Sequence, residues 1–342
     1  MPLTSQRQAH FHHTRGGRHR CGEPRRGRRR PRHNRRVTKR TEIPRELGDV
    51  FSVGDARSLG VSKARLRAPA LRGALHGARR LTQGDPIADR FELRQRELHI
   101  LCREYAAVAR APFAFSHATA ARLWGLAVPE RVERLPDLHV SVTEGQPRRA
   151  GVLTHRVRDL DTRHHRGLPL VPPEQAWLQL SGTLSLDELI VAGDSAVRRK
   201  RPLSSLHLLE EIVASNAGQR GVASARRALD DVRSGTDSRP ESRVRLILVR
   251  AGLPEPIIGH TVHHEGCWVG TPDLAYVREK VAIEYQGSGH RQEDVFEEDI
   301  DRLERFREAG WTVIQITKRH LGDPRALAER VRRALAAAGA RV

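Results

Sequence analysis

Residues 271–287 read TPDLAYVREKVAIEYQG, and the fold of the C-terminal third turns on them. Successive side chains of a strand point to opposite faces. Along VAIEYQG this puts Val281, Ile283 and Tyr285 on one face and Glu284 with Gln286 on the other. Glu284 thus stands in an otherwise apolar strand, where an ionised carboxylate costs free energy unless something pairs it. Asp273 lies near the end of the preceding strand, 11 residues earlier, with REK at 278–280 as the tight turn between the two. A hairpin of this length brings both carboxylates within reach of one cation. Mg²⁺ takes oxygen ligands and keeps several waters, so two carboxylates and a phosphate oxygen suffice, and Mn²⁺ would serve in its place. A metal so held polarises a scissile phosphate and activates a water. The other reading of Glu284 is a buried ion pair with Arg302 or Lys318 and no metal.

Working outward, PESRVRLILVRAGL is an amphipathic helix closed by Gly252, and PIIGHTVHH is a strand. WVGTPDLAYV and KVAIEYQG are the second and third strands. RQEDVFEEDIDRLERFREAG is a long charged helix ending at Gly310, WTVIQIT a fourth strand, and PRALAERVRRALAAAG a last helix. The order is α-β-β-β-α-β-α. TPDLAY followed by VAIEYQGSGH resembles the signature of the PD-(D/E)XK nucleases, and the element order matches the core of that fold. More narrowly, residues 238–342 resemble the small Vsr-like endonuclease-related domains. Their third strand carries a Glu-Tyr-acid-Gly stretch followed by a His, matched here by Glu284, Tyr285, Gln286, Gly287 and His290. Their helical Glu matches Glu241, their Asp-x-x-Arg matches Asp299 and Arg302, and their Gly-Trp matches Gly310 and Trp311.

The resemblance implies Asp273 and Glu284 as metal ligands, with Glu241 reaching the metal or its water. It implies His290 as a general acid/base or phosphate contact, and Arg302 as a group that orients the site or neutralises phosphate charge. Gln286 departs from the signature, which prefers Lys there, or in this subgroup an acid. A glutamine holds a water or a phosphate but supplies no charge.

The chain has 342 residues, 38% of them hydrophobic, and a net charge of +20. Such a balance points to a polyanionic partner, nucleic acid first, with an anionic membrane surface as the rival. No apolar run reaches the length of a membrane span. Residues 1–36 carry 12 Arg, no Lys and one Glu, a net of +11, with little to bury. They read as a disordered basic segment, either a DNA-gripping arm or an untranslated stretch ahead of a start at Val37. Cys21, Cys102 and Cys267 offer no disulfide framework, which fits a reducing cytoplasm. His260, His263, His264 and Cys267 lack the paired spacing of a zinc site. No phosphate-binding glycine loop suggests a nucleotide cofactor. Aromatics at 4% argue against single-strand recognition, and so against an RNA-directed nuclease.

Toward the front, residues 37–85 pattern as a winged-helix-like DNA-binding domain. Phe51, Ala56 and Leu59 make one apolar face, and Gly60 makes the sharp turn. Ser62 caps the helix SKARLRAPALRGAL, which Pro69 interrupts. Ser62, Lys63, Arg65 and Arg67 are the candidate DNA contacts. GALHGARRLT reads as a strand pair, the wing. A structural helical hairpin with a solvated basic face is the alternative. Residues 86–235 read as a mixed α/β middle, with LHVSVT and GVLTHRVRDL as partner strands and helices at ADRFELRQRELHILCREYAAVAR, SHATAARLWGL, VPPEQAWLQLS and SLDELIVAGDSAVRR. The winged-helix-like start, SHATAARLWGL and LDELIVAGDSAVRR resemble the AbiEi family of antitoxin-like DNA-binding proteins over about residues 40–200. That resemblance implies DNA binding, self-repression and a cognate toxin. His117, Arg122 and Trp124 read as core and capping residues.

The expected fold is thus an α/β (α+β) multidomain chain, ending in a restriction-endonuclease-like αβββαβ domain. Two functions fit: a Mg²⁺-dependent endonuclease acting on double-stranded DNA, or a non-catalytic repressor or antitoxin.

Overall fold

A computed structural model describes residues 42–81, 89–145, 148–287 and 293–341, with backbone alone for 293–300. The basic segment at 1–36, the Val37 start and His290 lie outside the described residues. Strand β1 (Val50–Ser52) feeds helix α1 (Val53–Ser58), whose first turn is capped by Ser52 Oγ accepting the Asp55 N–H at 2.9 Å. Gly60 takes φ +83°, a turn that L side chains resist. Ser62 then caps α2 (Lys63–Leu66), accepting the Arg65 N–H at 3.2 Å. This helix lasts one turn, and Pro69, three residues past Leu66, keeps Ala68 out of helical geometry and bars its continuation. Strands β2 (Leu71–Arg72) and β3 (Ala78–Leu81) pair antiparallel and complete a sheet in the order β1-β3-β2. Phe51, Ala56, Val61, Leu66 and Leu71 fill its small core. Leu59 was expected on that apolar face and is instead 49% exposed. Phe51 enters the core from a strand, so helical spacing does not carry from it to Leu59.

The middle begins with α3 (Arg90–Val108), N-capped by Asp89. There follow β4 (Ala114–Phe115), α4 (His117–Trp124), α5 (Glu130–Glu133), β5 (Leu138–Val142), β6 (Val152–Arg156), β7 (Arg163–His165) and β8 (Leu168–Leu170). The sheet runs β6-β5-β4-β8-β7, and the partner strands β5 and β6 lie parallel. Four helices complete this part: α6 (Pro173–Gln179), α7 (Leu186–Ala196), α8 (Leu206–Ser215) and α9 (Val222–Leu229). Trp177 is fully buried among them and donates from Nε1 to the Leu189 carbonyl at 2.9 Å. Ser185 and Glu188 form a reciprocal capping box at the start of α7.

The last part opens with α10 (Arg239–Arg250), capped by Ser238 and ended where Gly252 turns at φ +78°. The strands are β9 (Ile257–Ile258), β10 (Val262–His264), β11 (Cys267–Gly270), β12 (Leu274–Tyr276) and β13 (Val281–Gln286). Helix α11 (Glu293–Glu308), β14 (Thr312–Thr317) and α12 (Pro324–Ala337) follow. Two expected strands are therefore each divided. PIIGHTVHH breaks at Gly259, with φ +59°, and WVGTPDLAYV breaks around Pro272, which has no N–H for a ladder. The β10-β11 hairpin stands as a separate sheet, and the main sheet has the order β14-β13-β12-β9. Leu274, Val281 and Ile283 pack with Val244 and Leu248 of α10 and with Leu327 and Val331 of α12. Ala275 and Ala282 pack with Phe306 and Trp311 on the opposite face.

From Glu42 onward the chain forms one unit. Helix α10 belongs to both of its larger cores: Leu246 packs with the middle helices, Val244 and Leu248 with the sheet. Between them Arg245, 1% exposed, donates to Asp194 of α7 at 3.0 Å. Burial pushes the Asp194 carboxyl up against the pull of Arg245 and of the Arg233 N–H. Removing one partner of such a pair strands the other charge in a dry site. Asp194→Ala is expected to cost ~3–5 kcal/mol in chemical denaturation, and Asp194→Leu combined with Arg245→Met to recover much of it. A single-variant loss below about 1 kcal/mol would contradict this.

Candidate functional site

Strands β12 and β13 are antiparallel with Leu274 opposite Ile283 and Ala275 opposite Ala282. Asp273 stands immediately before β12, beyond the last ladder pair Leu274–Ile283, and lies beside the Glu284–Tyr285 end of β13. Like charges brought this close are unfavourable unless something compensates them. Glu284 sits on the α11 side of the sheet, because Ala282 does. Glu284 is 5% exposed and pairs with Arg302 of α11, Nη2 to Oε1 at 2.7 Å. The same guanidinium donates to the Thr271 carbonyl at 3.1 Å and lies over the Phe306 ring. The ion pair weighed for Glu284 is thus present, with Arg302 as its partner.

Asp273 Oδ2 accepts the Tyr285 N–H at 2.7 Å. Its carboxyl is nonetheless pushed up from the ordinary 3.8 to about 6. Burial is the largest cause, the Glu241 charge the next, and Glu284 adds to both, against the Tyr285 N–H and Arg302. Glu241 stands in the first turn of α10 and accepts the Asp237 N–H at 2.8 Å, so part of its capacity serves the helix start. Gln286 ends β13 opposite Thr317 of β14 and is half-buried. Of the six residues assigned to catalysis, the fold brings together Glu241, Asp273, Glu284 and Arg302 and sets Gln286 at the end of the same strand; the side chain of Asp299 and all of His290 are outside the described residues.

Three carboxylates gathered here would attract a divalent cation, and oxygen donors of this kind suit Mg²⁺ or Mn²⁺. The three carboxylates are spaced more widely than a closed ligand set: among the described residues, three ligand atoms lie within 4.8 Å of one another only at His117, His139 and His155. Two adjacent carboxylates with an open remainder suit an ion that keeps its waters.

At the other end of the chain, Lys63 and Arg67 are exposed and Arg65 half-buried on the single turn of α2, with Ser62 engaged as its cap. Arg122 is buried, donating to the Leu135 carbonyl at 3.0 Å, and Trp124 donates to the Val171 carbonyl at 2.8 Å. His117 differs from them. It stacks on His155 at 3.7 Å and lines a cavity, a grouping that the sequence reading missed. The missing signal was the parallel register of β5 and β6, which sets Ser141 beside His155 and so aligns His139 and His155 on one face.

No protein-family model matches the chain. Uncharacterized proteins from two strains of Mycobacterium tuberculosis are similar to it, each 26% identical over 187 residues, which is 54% of this chain and 68% of the relative. Among the described residues, no helix is long and apolar enough to cross a membrane.

The Asp273 geometry has a sign that can be measured. Its folded-state value is raised, so the unfolded chain gives up this proton first and stability falls as pH climbs from about 4 to about 6. The full cost above that range is roughly 3 kcal/mol. Thermal melts are expected to show Mg²⁺ stabilising the fold at about pH 7.5 and much less at about pH 5. Asp273→Asn is expected to stabilise the metal-free protein at the higher pH and to abolish the Mg²⁺ effect. An equal response at both pH values would remove the carboxylate pair from consideration.

Proposed function

We propose that this chain is a cytoplasmic DNA-binding protein whose C-terminal sheet carries a Mg²⁺- or Mn²⁺-dependent endonuclease site of the PD-(D/E)XK, Vsr-like kind. The observation that carries this reading is the placement of Asp273, at the entry to β12, beside Glu284 of β13, with the Asp273 charge disfavoured by its surroundings. Carboxylates held close against their own repulsion are characteristic of functional sites. When bound, the cation would polarise the phosphate and lower the pKa of a water. Asp273 and Glu284 would hold it, and the Tyr285 N–H fixes the orientation of Asp273. Glu241 would orient a water from the start of α10. Arg302 holds Glu284 in place and can turn to a phosphate oxygen, since about a third of its side chain is exposed. Gln286 would hold a water or phosphate without adding charge. Duplex DNA would be gripped at Ser62, Lys63, Arg65 and Arg67 through phosphate contacts, with the +11 segment at 1–36 adding to long-range attraction.

A second reading rests on a specific observation. The 2.7 Å Arg302–Glu284 ion pair already neutralises one ligand, and Gln286 replaces a charged residue. Both suit a non-catalytic repressor or antitoxin that uses the sheet as a further DNA clamp, with a cognate toxin as protein partner.

Cleavage of supercoiled plasmid by the full chain, with Mg²⁺, Mn²⁺ or EDTA, separates the two. Metal-dependent nicking is expected, with Asp273→Asn and Glu284→Ala each losing at least ~100-fold of the rate, the scale of removing one electrostatic stabiliser. Failure to cleave under either metal, with a gel shift retained, would establish the regulator instead. In either case Lys63→Ala and Arg67→Ala are expected to weaken the shift and to lower its salt dependence by about one phosphate contact each.

A further inference from the structure

The middle of the chain holds a cluster that neither carboxylate chemistry nor DNA contact uses. His117 begins α4, His139 lies on β5 and His155 on β6. The parallel pairing of β5 with β6 and the antiparallel pairing of β4 with β5 bring these three remote positions together. One ring nitrogen from each lies within 4.8 Å of the others. His139 Nδ1 and His155 Nε2 are 3.0 Å apart, a hydrogen bond in which one ring donates to the other, and the three rings are stacked. Tetrahedral zinc needs imidazole nitrogens about 3.3–3.4 Å apart, so a metal would replace this shared proton and turn the rings toward itself.

His117 takes φ +50°, a left-handed conformation that is strained for a non-glycine residue. Its N–H donates to Gln179 Oε1 at 2.7 Å, and its Nδ1 meets Ser116 Oγ at 3.1 Å, which leaves Nε2 as the nitrogen free to ligate. An outer hydrogen bond of this sort fixes the tautomer and ring orientation of a metal-binding histidine. Burial, with the neighbouring histidine charges, holds His117 down to about 3 and His139 down to about 4. Burial also lowers His155.

His117 and His155 also line a cavity of about 1000 Å³, to which Arg156, Arg158 and Arg220 contribute, with Asp159. Three cationic side chains against one carboxylate make its wall basic. We propose that His117, His139 and His155 bind one divalent transition-metal ion, Zn²⁺ by coordination preference, with an open fourth position that faces this basic cavity and takes water or an oxyanion. Three histidines with a vacant fourth place are the donor set of a catalytic rather than a structural zinc centre. Imidazole donors exclude Mg²⁺ as the occupant, so this site and the carboxylate pair select different metals.

Co²⁺ reports the site directly, since its visible bands distinguish four-coordinate from octahedral ions. The experiment uses the full chain stripped with EDTA, carrying His10→Ala, His12→Ala, His13→Ala, His19→Ala and His33→Ala with Cys21→Ser so that the histidine-rich N-terminal stretch adds no binding. One equivalent of Co²⁺ with four-coordinate bands is expected, displaced by Zn²⁺, with the spectrum altered by inorganic phosphate. His155→Gln and His139→Phe are each expected to weaken binding by more than the roughly 100-fold that loss of an outer hydrogen bond costs. Asp273→Asn is expected to leave it unchanged. The wild-type stoichiometry and spectrum decide the question even where a histidine variant does not fold. Absence of stoichiometric binding would reduce the cluster to a stack of neutral rings. A thiolate charge-transfer band lost in Cys267→Ser would place the metal on the β10-β11 hairpin. Either result overturns the proposal.

Discussion

Arg245 is buried in the middle of a helix, and much of the molecule follows from where its charge goes. Taking an ion pair out of water costs several kcal/mol per ion, recovered only when geometry and hydrogen bonding are complete. Here Asp194 accepts from Arg245 and from the Arg233 N–H, while Arg245 also reaches the Asp231 carbonyl at 2.7 Å and Glu255 at 2.7 Å. The two terminal nitrogens of the guanidinium are thus engaged, while its buried Nε has no partner among the described residues. On the same helix Leu246 faces the middle helices and Val244 with Leu248 the sheet. The start of this helix carries Glu241, which acts on Asp273.

The carboxylate site is a place where local preferences disagree. The β12–β13 hairpin brings Asp273 beside Glu284, and burial magnifies their repulsion. The fold supplies partial answers: an N–H for Asp273, a guanidinium for Glu284, a helix N-terminus for Glu241. These answers leave Asp273 raised to about 6. A purely structural design would place an apolar residue at one of these positions, as it does at every neighbouring position of β12 and at Val281, Ala282 and Ile283 of β13.

The histidine cluster follows different physics. Its groups are imidazoles whose charged forms burial disfavours, so their assembly costs little in repulsion. The expense lies in the backbone instead, at the left-handed His117. One chain thus holds a hard-oxygen grouping on one sheet and a nitrogen grouping beside another.

Local physics was legible in the residues. Strand alternation placed Val281 and Ile283 in the core and Glu284 on the far face, and the cap at Ser62 and the turns at Gly60, Gly252 and Gly310 follow from side-chain oxygens and from glycine's freedom at positive φ. These depend on neighbours within about four residues. Elements too short to build a period, such as β4, β7 and β8, were not legible, nor were the breaks at Gly259 and Pro272 within apparently continuous strands. The sequence alone therefore determined which residues could be buried, where helices start and that Glu284 needed a partner. Tertiary structure decided which partner: Arg302 rather than Lys318. It also decided that three histidines spread over 117–155 would meet. Such contacts depend on strand order and register, which are set by closing loops and filling the core as a whole, and a one-residue slip would send every side chain to the other face.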